Sequence, residues 1–196
     1  MKKTNLLLIC TSFVLWISCG PDPVEDTTTY EDMVLEGWTS YSQNDYEIAI
    51  DWFKKANKKA PSLAEPLTGL AWTFMKMDSF TRAENYFASG ILKQNVTADH
   101  FAGWSFMKNA QKDYAFSNLY AQEALEINAE WSFAYGVGLN FNDLQLLMAQ
   151  NYFLAGDYTN SLLKVKILNP GFNADIFDSA GQSLLAKEIE RLRKLV

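Results

Sequence analysis

The 196-residue chain is long enough for one domain with short appendages, and its 48% hydrophobic and 20% charged residues are ordinary for a globular protein. Its formal net charge of −6 argues against a nucleic-acid partner, since such binding needs clustered cationic side chains. Both cysteines, Cys10 and Cys19, lie near the N-terminus, so a disulfide framework and a cysteine metal site are excluded for the rest of the chain.

The N-terminus has the organisation of an export signal. Lys2 and Lys3 precede a largely apolar run over residues 6–17, which is too short to span a bilayer comfortably but suits the core of a signal peptide. Residues 15–19, Leu-Trp-Ile-Ser-Cys, resemble a bacterial lipobox. An ordinary secretory signal cut nearby, or an uncleaved anchor, is the alternative.

The lipobox resemblance implies a lipoprotein, in which residues 1–18 are removed as a signal peptide and Cys19 carries the lipid. Residues 19–30 follow as a flexible tether with two prolines, three acids and no apolar periodicity. Acyl chains on the cysteine would anchor such a protein stably. We expect a membrane-anchored protein of the bacterial cell envelope, with the outer membrane favoured and the periplasmic or surface face left open.

Small and aromatic residues recur every 34 positions over three consecutive units. A period of 34 residues is typical of the tetratricopeptide repeat, and residues 31–169 resemble that family, most clearly over residues 44–56. A single helical hairpin cannot bury its apolar face alone, so the units must stack. The recurring sets are Gly37, Ala71 and Ser105; Tyr46, Phe80 and Tyr114; Ala49, Ala83 and Ser117; Phe53, Phe87 and Ala121; and Ala56, Gly90 and Ala124.

A fourth unit follows after 44 residues instead of 34, since Tyr114 matches Tyr158. The extra ten residues fall around residues 128–140, where Gly136-Val137-Gly138 indicates a flexible insertion. After a stop at residues 169–171, residues 174–196 have apolar residues at helical spacing and predict an amphipathic capping helix. The alternative for this helix is a partner-binding or membrane-surface role.

The sequence therefore predicts an all-α protein, a tetratricopeptide-like solenoid of about four helical hairpins plus a C-terminal capping helix. The repeats occupy residues 31–173 and the capping helix residues 174–196. The predicted repeat helices cover residues 31–43, 46–59, 64–77, 80–93, 98–111, 114–127, 141–155 and 158–168.

The family resemblance implies a concave groove lined by the first helix of each hairpin, aromatic along its middle and acidic along one side. Aromatic side chains are favoured at binding hot spots, and acids can engage lysine or arginine on a ligand. Aromatic stripes at helical spacing also occur as core, and acids in a first helical turn also stabilise the helix dipole, so both alternatives stay open. The candidate groove residues are Trp38, Tyr41, Trp72, Met75, Phe106, Phe153, Glu31, Glu65, Asp99 and Asp143.

Catalytic motifs are nearly absent from the sequence. His100 is the only histidine, expected on the surface near a helix start, and no nucleophile elbow, Walker loop or dinucleotide fingerprint occurs. We expect no enzyme activity, cofactor or metal. The leading hypothesis is a lipid-anchored protein–protein interaction scaffold or adaptor that binds an envelope protein or peptide segment. The alternative is an accessory lipoprotein for glycan or nutrient capture.

Overall fold

The computed structural model describes residues 27–136 and 138–195, so the predicted signal peptide, Cys19 and most of the tether lie outside the described residues. Within those ranges the chain forms nine α-helices and no strand, which confirms the predicted fold class. The helices are α1 Tyr30–Ser42, α2 Tyr46–Lys59, α3 Glu65–Lys76, α4 Phe80–Gly90, α5 Ala98–Ala110, α6 Tyr114–Ile127, α7 Phe141–Leu154, α8 Tyr158–Leu168 and α9 Ser179–Leu192.

The first eight helices form four hairpins that stack in chain order. The first helices of successive hairpins, α1, α3, α5 and α7, touch one another, whereas α2, α4, α6 and α8 do not touch one another among the described elements. A stack that is closer on one side must curve toward that side. The first helices therefore form an inner, concave layer, and the second helices form the outer layer.

The turn between the two helices has nearly the same backbone conformation in all four hairpins. Asn44, Asp78 and Lys112 have φ values of 66°, 54° and 61°, and Gly156 has 78° in the fourth hairpin. In all four turns the next amide donates to the carbonyl five residues before it, at 2.8–2.9 Å. Left-handed backbone is cheap for glycine and costs other residues more, so three of the four turns carry some strain.

Phe53 fills the space between the first two hairpins. A β-carbon added to Gly37 or Gly69 would lie 2.5 Å or 2.4 Å from the Phe53 ring, and one added to Gly103 would lie 2.8 Å from Phe87. Glycine at these positions lets the phenylalanine rings lie directly on the neighbouring helix. This packing explains the 34-residue recurrence of small and aromatic residues.

The third and fourth hairpins meet through polar side chains instead. Ala121 occupies the position of Phe53 and Phe87, and the buried Asn151 fills the seam. Asn151 accepts a hydrogen bond from Asn109 at 2.6 Å and donates to Ser117 at 2.8 Å. Both partners belong to the third hairpin, so this buried amide of the fourth hairpin fixes the register of the seam.

Two local expectations are wrong. Helix α4 ends at Gly90 and not at residue 93, because the chain turns at residues 91–92 and Gln94 then exchanges backbone hydrogen bonds with the loop before α3. His100 is buried and not on the surface, with Nε2 3.0 Å from the Phe87 carbonyl and Nδ1 2.8 Å from the Thr68 hydroxyl. Burial lowers the pKa of His100 to about 4, so the ring is neutral at physiological pH.

The last helix covers the open end of the stack. Asp178 caps α9 by accepting from the Gly181 amide at 2.6 Å, and so the helix begins at residue 179 instead of 174. Its apolar face packs on α7 and α8. The residues of this cluster are Leu185, Ile189 and Leu192 from α9, and Leu146, Ala149 and Val165 from the final hairpin.

The strained turn at Lys112 gives a first prediction. Lys112→Gly should raise the free energy of unfolding by about 1 kcal/mol, because glycine adopts the same backbone without a β-carbon penalty. Urea denaturation of the two chains measures this difference. Gly156→Ala, at the equivalent turn of the fourth hairpin, is the matched control and should lose a similar amount. A destabilised Lys112→Gly variant would contradict the strain argument.

Candidate functional site

The predicted aromatic stripe lies on the inner layer. Trp38, Trp72 and Phe106 occupy equivalent places on α1, α3 and α5. Trp38 and Trp72 are each only 1% exposed, and Phe106 is half-buried. These tryptophans are therefore part of the core in this conformation, which is the alternative that the sequence left open.

The chain itself covers the stripe. The described residues of the insertion, 131–136 and 138–140, form a short hairpin, here called the aromatic hairpin. In it the Phe133 amide donates to Leu139 O at 2.8 Å and the Phe141 amide to Trp131 O at 2.7 Å. The insertion expected to be flexible is packed at its start, where Trp131 and Phe133 are 1% and 5% exposed. Their apolar rings lie against the inner layer instead of in water.

The three aromatic residues of the hairpin lie over successive repeats. Tyr135 stacks on Trp38 at 4.1 Å between ring centroids, with 3° between the ring planes. Phe133 stacks on Trp72 at 4.2 Å, and Trp131 lies 6.3 Å from Phe106. Burying a large apolar side chain is worth about 1.5–3 kcal/mol, and an aromatic pair adds about 0.5–1.5 kcal/mol. The aromatic hairpin is therefore a substantial part of the folded core.

The acids beside the stripe hold the indole rings. Trp38 Nε1 donates to Glu65 Oε1 at 2.8 Å, and Trp131 Nε1 donates to Asp99 Oδ1 at 2.6 Å. Trp72 Nε1 reaches the Asp99 carbonyl at 2.9 Å. Burial raises the pKa of both the Glu65 and the Asp99 carboxyl, and among the described residues neither forms an ion pair. Two partly buried carboxyls thus lie side by side without a cation.

The two outer acids differ from this pair. Glu31 is exposed in the first turn of α1. Asp143 accepts from the Asn140 amide at 2.8 Å and completes a capping box at the start of α7. Asp143 therefore serves its own helix, which was the alternative considered for all four acids.

The remaining candidate residues are dispersed. Tyr41 is 2% exposed and touches Trp38 and Phe133, with no hydrogen-bond partner for its hydroxyl among the described residues. Met75 is half-buried against the main core, and Phe153 is half-buried against the α9 cluster. The structure brings Trp38, Tyr41 and Trp72 together but places Phe153 elsewhere.

An open cleft of about 490 Å³ lies where the aromatic hairpin ends on α1. Its walls combine Tyr30 and Leu35 from α1 with Tyr135 from the hairpin, and Glu31 and Glu65 supply charge. Leu35 is 62% exposed. The other lining residues are Val34, Trp38, Leu63, Asn95 and Thr97, so no lysine or arginine among the described residues lines the cleft.

The carboxyl groups at this cleft affect the pKa values of its tyrosines. Burial, together with Glu65 and Glu31, raises the pKa of Tyr30 to about 12. Burial, Glu65 and Asp99 raise the pKa of Tyr135. The carboxyl groups of Glu31, Glu65 and Asp99 therefore act on the tyrosines of one cleft. Such a cleft suits a lysine or arginine whose apolar stem lies along the aromatic rings.

The sequence did not indicate the hairpin residues that cover the stripe. Trp131, Phe133 and Tyr135 alternate with small residues, which is the period of a strand with one buried face. This alternation is present in the sequence, but the insertion was interpreted only from Gly136-Val137-Gly138. The described residues hold no group of three or more His, Cys, Asp or Glu side chains placed for a metal ion, and no helix among them is long and apolar enough to cross a membrane.

Solved structures share this architecture. YrrB, a TPR protein with an unusual peptide-binding site, is 14% identical, with a TM-score of 0.65 over 87% of this chain and 89% of its own. MamA is 16% identical, with a TM-score of 0.59 over 84% and 88% of the two chains. A tetratricopeptide repeat protein from Parabacteroides merdae ATCC 43184 is 13% identical, with a TM-score of 0.58 over 84% and 60%.

These similarities show that the chain has the tetratricopeptide-repeat fold. No protein-family model matches the sequence, and no curated protein matches it significantly.

Glu65 gives a prediction on stability. Burial raises its pKa in the folded chain, so the folded state binds this proton more tightly and stability falls as the pH rises from about 4.5 through the folded pKa. Glu65→Gln keeps an acceptor for Trp38 and should raise the free energy of unfolding at pH 7 by on the order of 1 kcal/mol. The gain should vanish below about pH 4, where both side chains are neutral.

Urea denaturation at the two pH values measures this effect. Glu36→Gln, on the exposed side of α1, is the matched control and should change stability by less than about 0.5 kcal/mol at either pH. A Glu65→Gln chain that is less stable than the parent at pH 7 would show that the carboxylate is stabilising, against this account.

Proposed function

We propose that the protein is a protein–protein interaction scaffold of the bacterial envelope, held to a membrane by lipid on Cys19, which binds a basic segment of an envelope protein. The observation that carries the binding part is the acidic, aromatic-walled cleft at the start of α1. The tetratricopeptide-repeat fold supports it, because stacked helical hairpins build extended concave binding surfaces. The peptide-binding site named for YrrB belongs to a protein of the same fold.

The cleft has the chemistry of a site for lysine or arginine. Glu31 is exposed at its mouth, and Glu65 is partly buried in its wall. A cation that entered would meet two carboxylates and displace no ion pair among the described residues. Opposite charges brought together across a partly buried interface fix the orientation of a partner and speed its association.

The position of the cleft fits a tethered protein. Tyr30 and Glu31 line it, and Tyr30 follows Cys19 by only 11 residues. A fully extended segment of that length spans at most about 40 Å. In a protein lipidated at Cys19, the cleft would therefore stay within that distance of the membrane surface and would meet partner segments close to the bilayer.

Glycan or nutrient capture depended on aromatic side chains exposed for stacking on sugars. Trp38 and Trp72 are buried under the aromatic hairpin, so the observation behind that alternative is absent from the described conformation. Glycan capture therefore has no supporting observation among the described residues.

The lipid attachment has a direct test. Cells fed a clickable palmitate analogue should label the parent chain and the Cys10→Ala variant equally, whereas Cys19→Ala should abolish the label and release the chain from the membrane fraction. Cys10 is the matched control, because these two residues are the only cysteines of the sequence. Label that persists without Cys19 would overturn the lipoprotein assignment.

The cleft is tested by photo-crosslinking in the native cell. A photoreactive amino acid at Leu35, on the cleft wall, should give one discrete adduct whose crosslinked peptide carries lysine or arginine, as read by mass spectrometry. Glu31→Lys, in the same chain, should lower the yield about fivefold, the equivalent of about 1 kcal/mol for an exposed charge pair.

The matched control places the same amino acid at Leu184, which is 51% exposed on α9 at the other end of the stack. It should not give that adduct. Identical adducts from both positions, or a yield indifferent to Glu31→Lys, would remove the cleft from the proposed function.

A further inference from the structure

The spacing of the aromatic residues in the aromatic hairpin matches the spacing of the repeats in the inner layer. Trp131, Phe133 and Tyr135 are two residues apart and so share one face of an extended segment. They contact aromatic residues that are 34 positions apart and belong to three successive repeats. The stripe therefore accepts one aromatic side chain per repeat from an extended chain that runs from α5 toward α1.

Only side chains attach the hairpin to this surface. Its backbone hydrogen bonds run within the hairpin or to the adjoining ends of α6 and α7, and no backbone hydrogen bond between described residues joins it to α1, α3 or α5. Among the described residues, the one side-chain hydrogen bond from the hairpin to α1, α3 or α5 runs from Trp131 to Asp99. Another extended segment with the same aromatic spacing could make equivalent contacts without altering the helices.

The hairpin leaves the acids of the surface without a cation. Glu31, Glu65 and Asp99 have no ion pair among the described residues, and the Tyr41 hydroxyl is buried without a partner. The cleft beyond Tyr135 stays open. A competing segment that supplied the same aromatic residues and added a lysine or arginine would gain interactions that the hairpin cannot make.

We propose that the aromatic hairpin is a built-in competitor for the partner-binding surface. The partner supplies an extended segment with aromatic residues at alternate positions and a lysine or arginine next to them, and this segment displaces the hairpin from the stripe. The inference rests on the proposed function, since it extends the partner's contact from the cleft onto the aromatic stripe. An intramolecular competitor acts at a high effective concentration, so it sets a threshold for affinity and rejects weak ligands.

A reversible lock tests displacement. A β-carbon on Gly136 would lie 3.4 Å from the Ser42 β-carbon, close to the separation of about 3.5–4.5 Å that a disulfide requires. The full-length chain with Ser42→Cys and Gly136→Cys is purified in detergent, and its binding of the peptide Lys-Trp-Ser-Phe-Ala-Tyr-Lys is measured by fluorescence anisotropy. The reduced form should bind at least about tenfold more tightly than the oxidised form, with the parent chain indifferent to redox state.

A second variant keeps the proposal testable if the lock does not form. Phe133→Ser with Tyr135→Ser should bind the peptide at least about tenfold more tightly than the parent, because the competitor is weakened, provided circular dichroism shows the helices retained. The same peptide with glutamate in place of both lysines should bind about tenfold more weakly to this variant, since it cannot pair with the acids.

Equal binding by the oxidised and reduced forms would overturn the proposal, as would a folded double-serine variant that binds no better than the parent. Crosslinking at Leu35 could still succeed in either case, and then the cleft would remain while the displaced hairpin would not. Failure at Leu35 together with a redox-dependent peptide affinity would instead count against the proposed envelope partner and leave the competitor in place.

Discussion

The stacking of Phe133 on Trp72 and of Tyr135 on Trp38 is the interaction on which the inner surface depends. Two large indole rings on adjacent helices would expose a wide apolar patch if nothing covered them, and such patches cause association in water. Stacking of the helical hairpins cannot solve this problem, because it buries the sides of each unit and leaves the concave face open. The insertion after α6 solves it within the same chain, and the irregular 44-residue spacing of the fourth unit follows from that need.

The same cover explains the unusual state of the acids. Glu65 and Asp99 lose water when the hairpin and the indole rings pack beside them, and each gains a tryptophan N–H in return. A neutral N–H compensates a buried carboxylate less well than a cation would. The pKa of each carboxyl is therefore raised and not lowered. Aromatic cover and unpaired charge are two consequences of one arrangement, and both have the chemistry that the proposed basic, aromatic ligand requires.

Sequence periodicity was enough for the helices but not for this cover. The 34-residue recurrence follows from direct contacts between helices. For example, the Phe53 ring packs between Gly37 and Gly69. The aromatic hairpin occurs once, and no recurrence can reveal it; only the alternation of Trp131, Phe133 and Tyr135 could have. His100 was misplaced for a related reason. Its burial depends on Thr68 and Phe87 in other helices, and the neighbouring Asp99 in the sequence says nothing about them.

The overlap between core and candidate site changes how this surface must be studied. Trp38 and Trp72 support the fold of the first two hairpins, so truncating either would lose several kcal/mol of packing and would confuse loss of structure with loss of binding. Glu31 and Leu35 lie on the same surface but are exposed, and their side chains can change with little cost to the fold. The proposed binding surface consists of buried aromatic residues and an exposed acidic rim, and it is therefore accessible to mutation only at its rim. The stripe has to be examined through the hairpin that covers it.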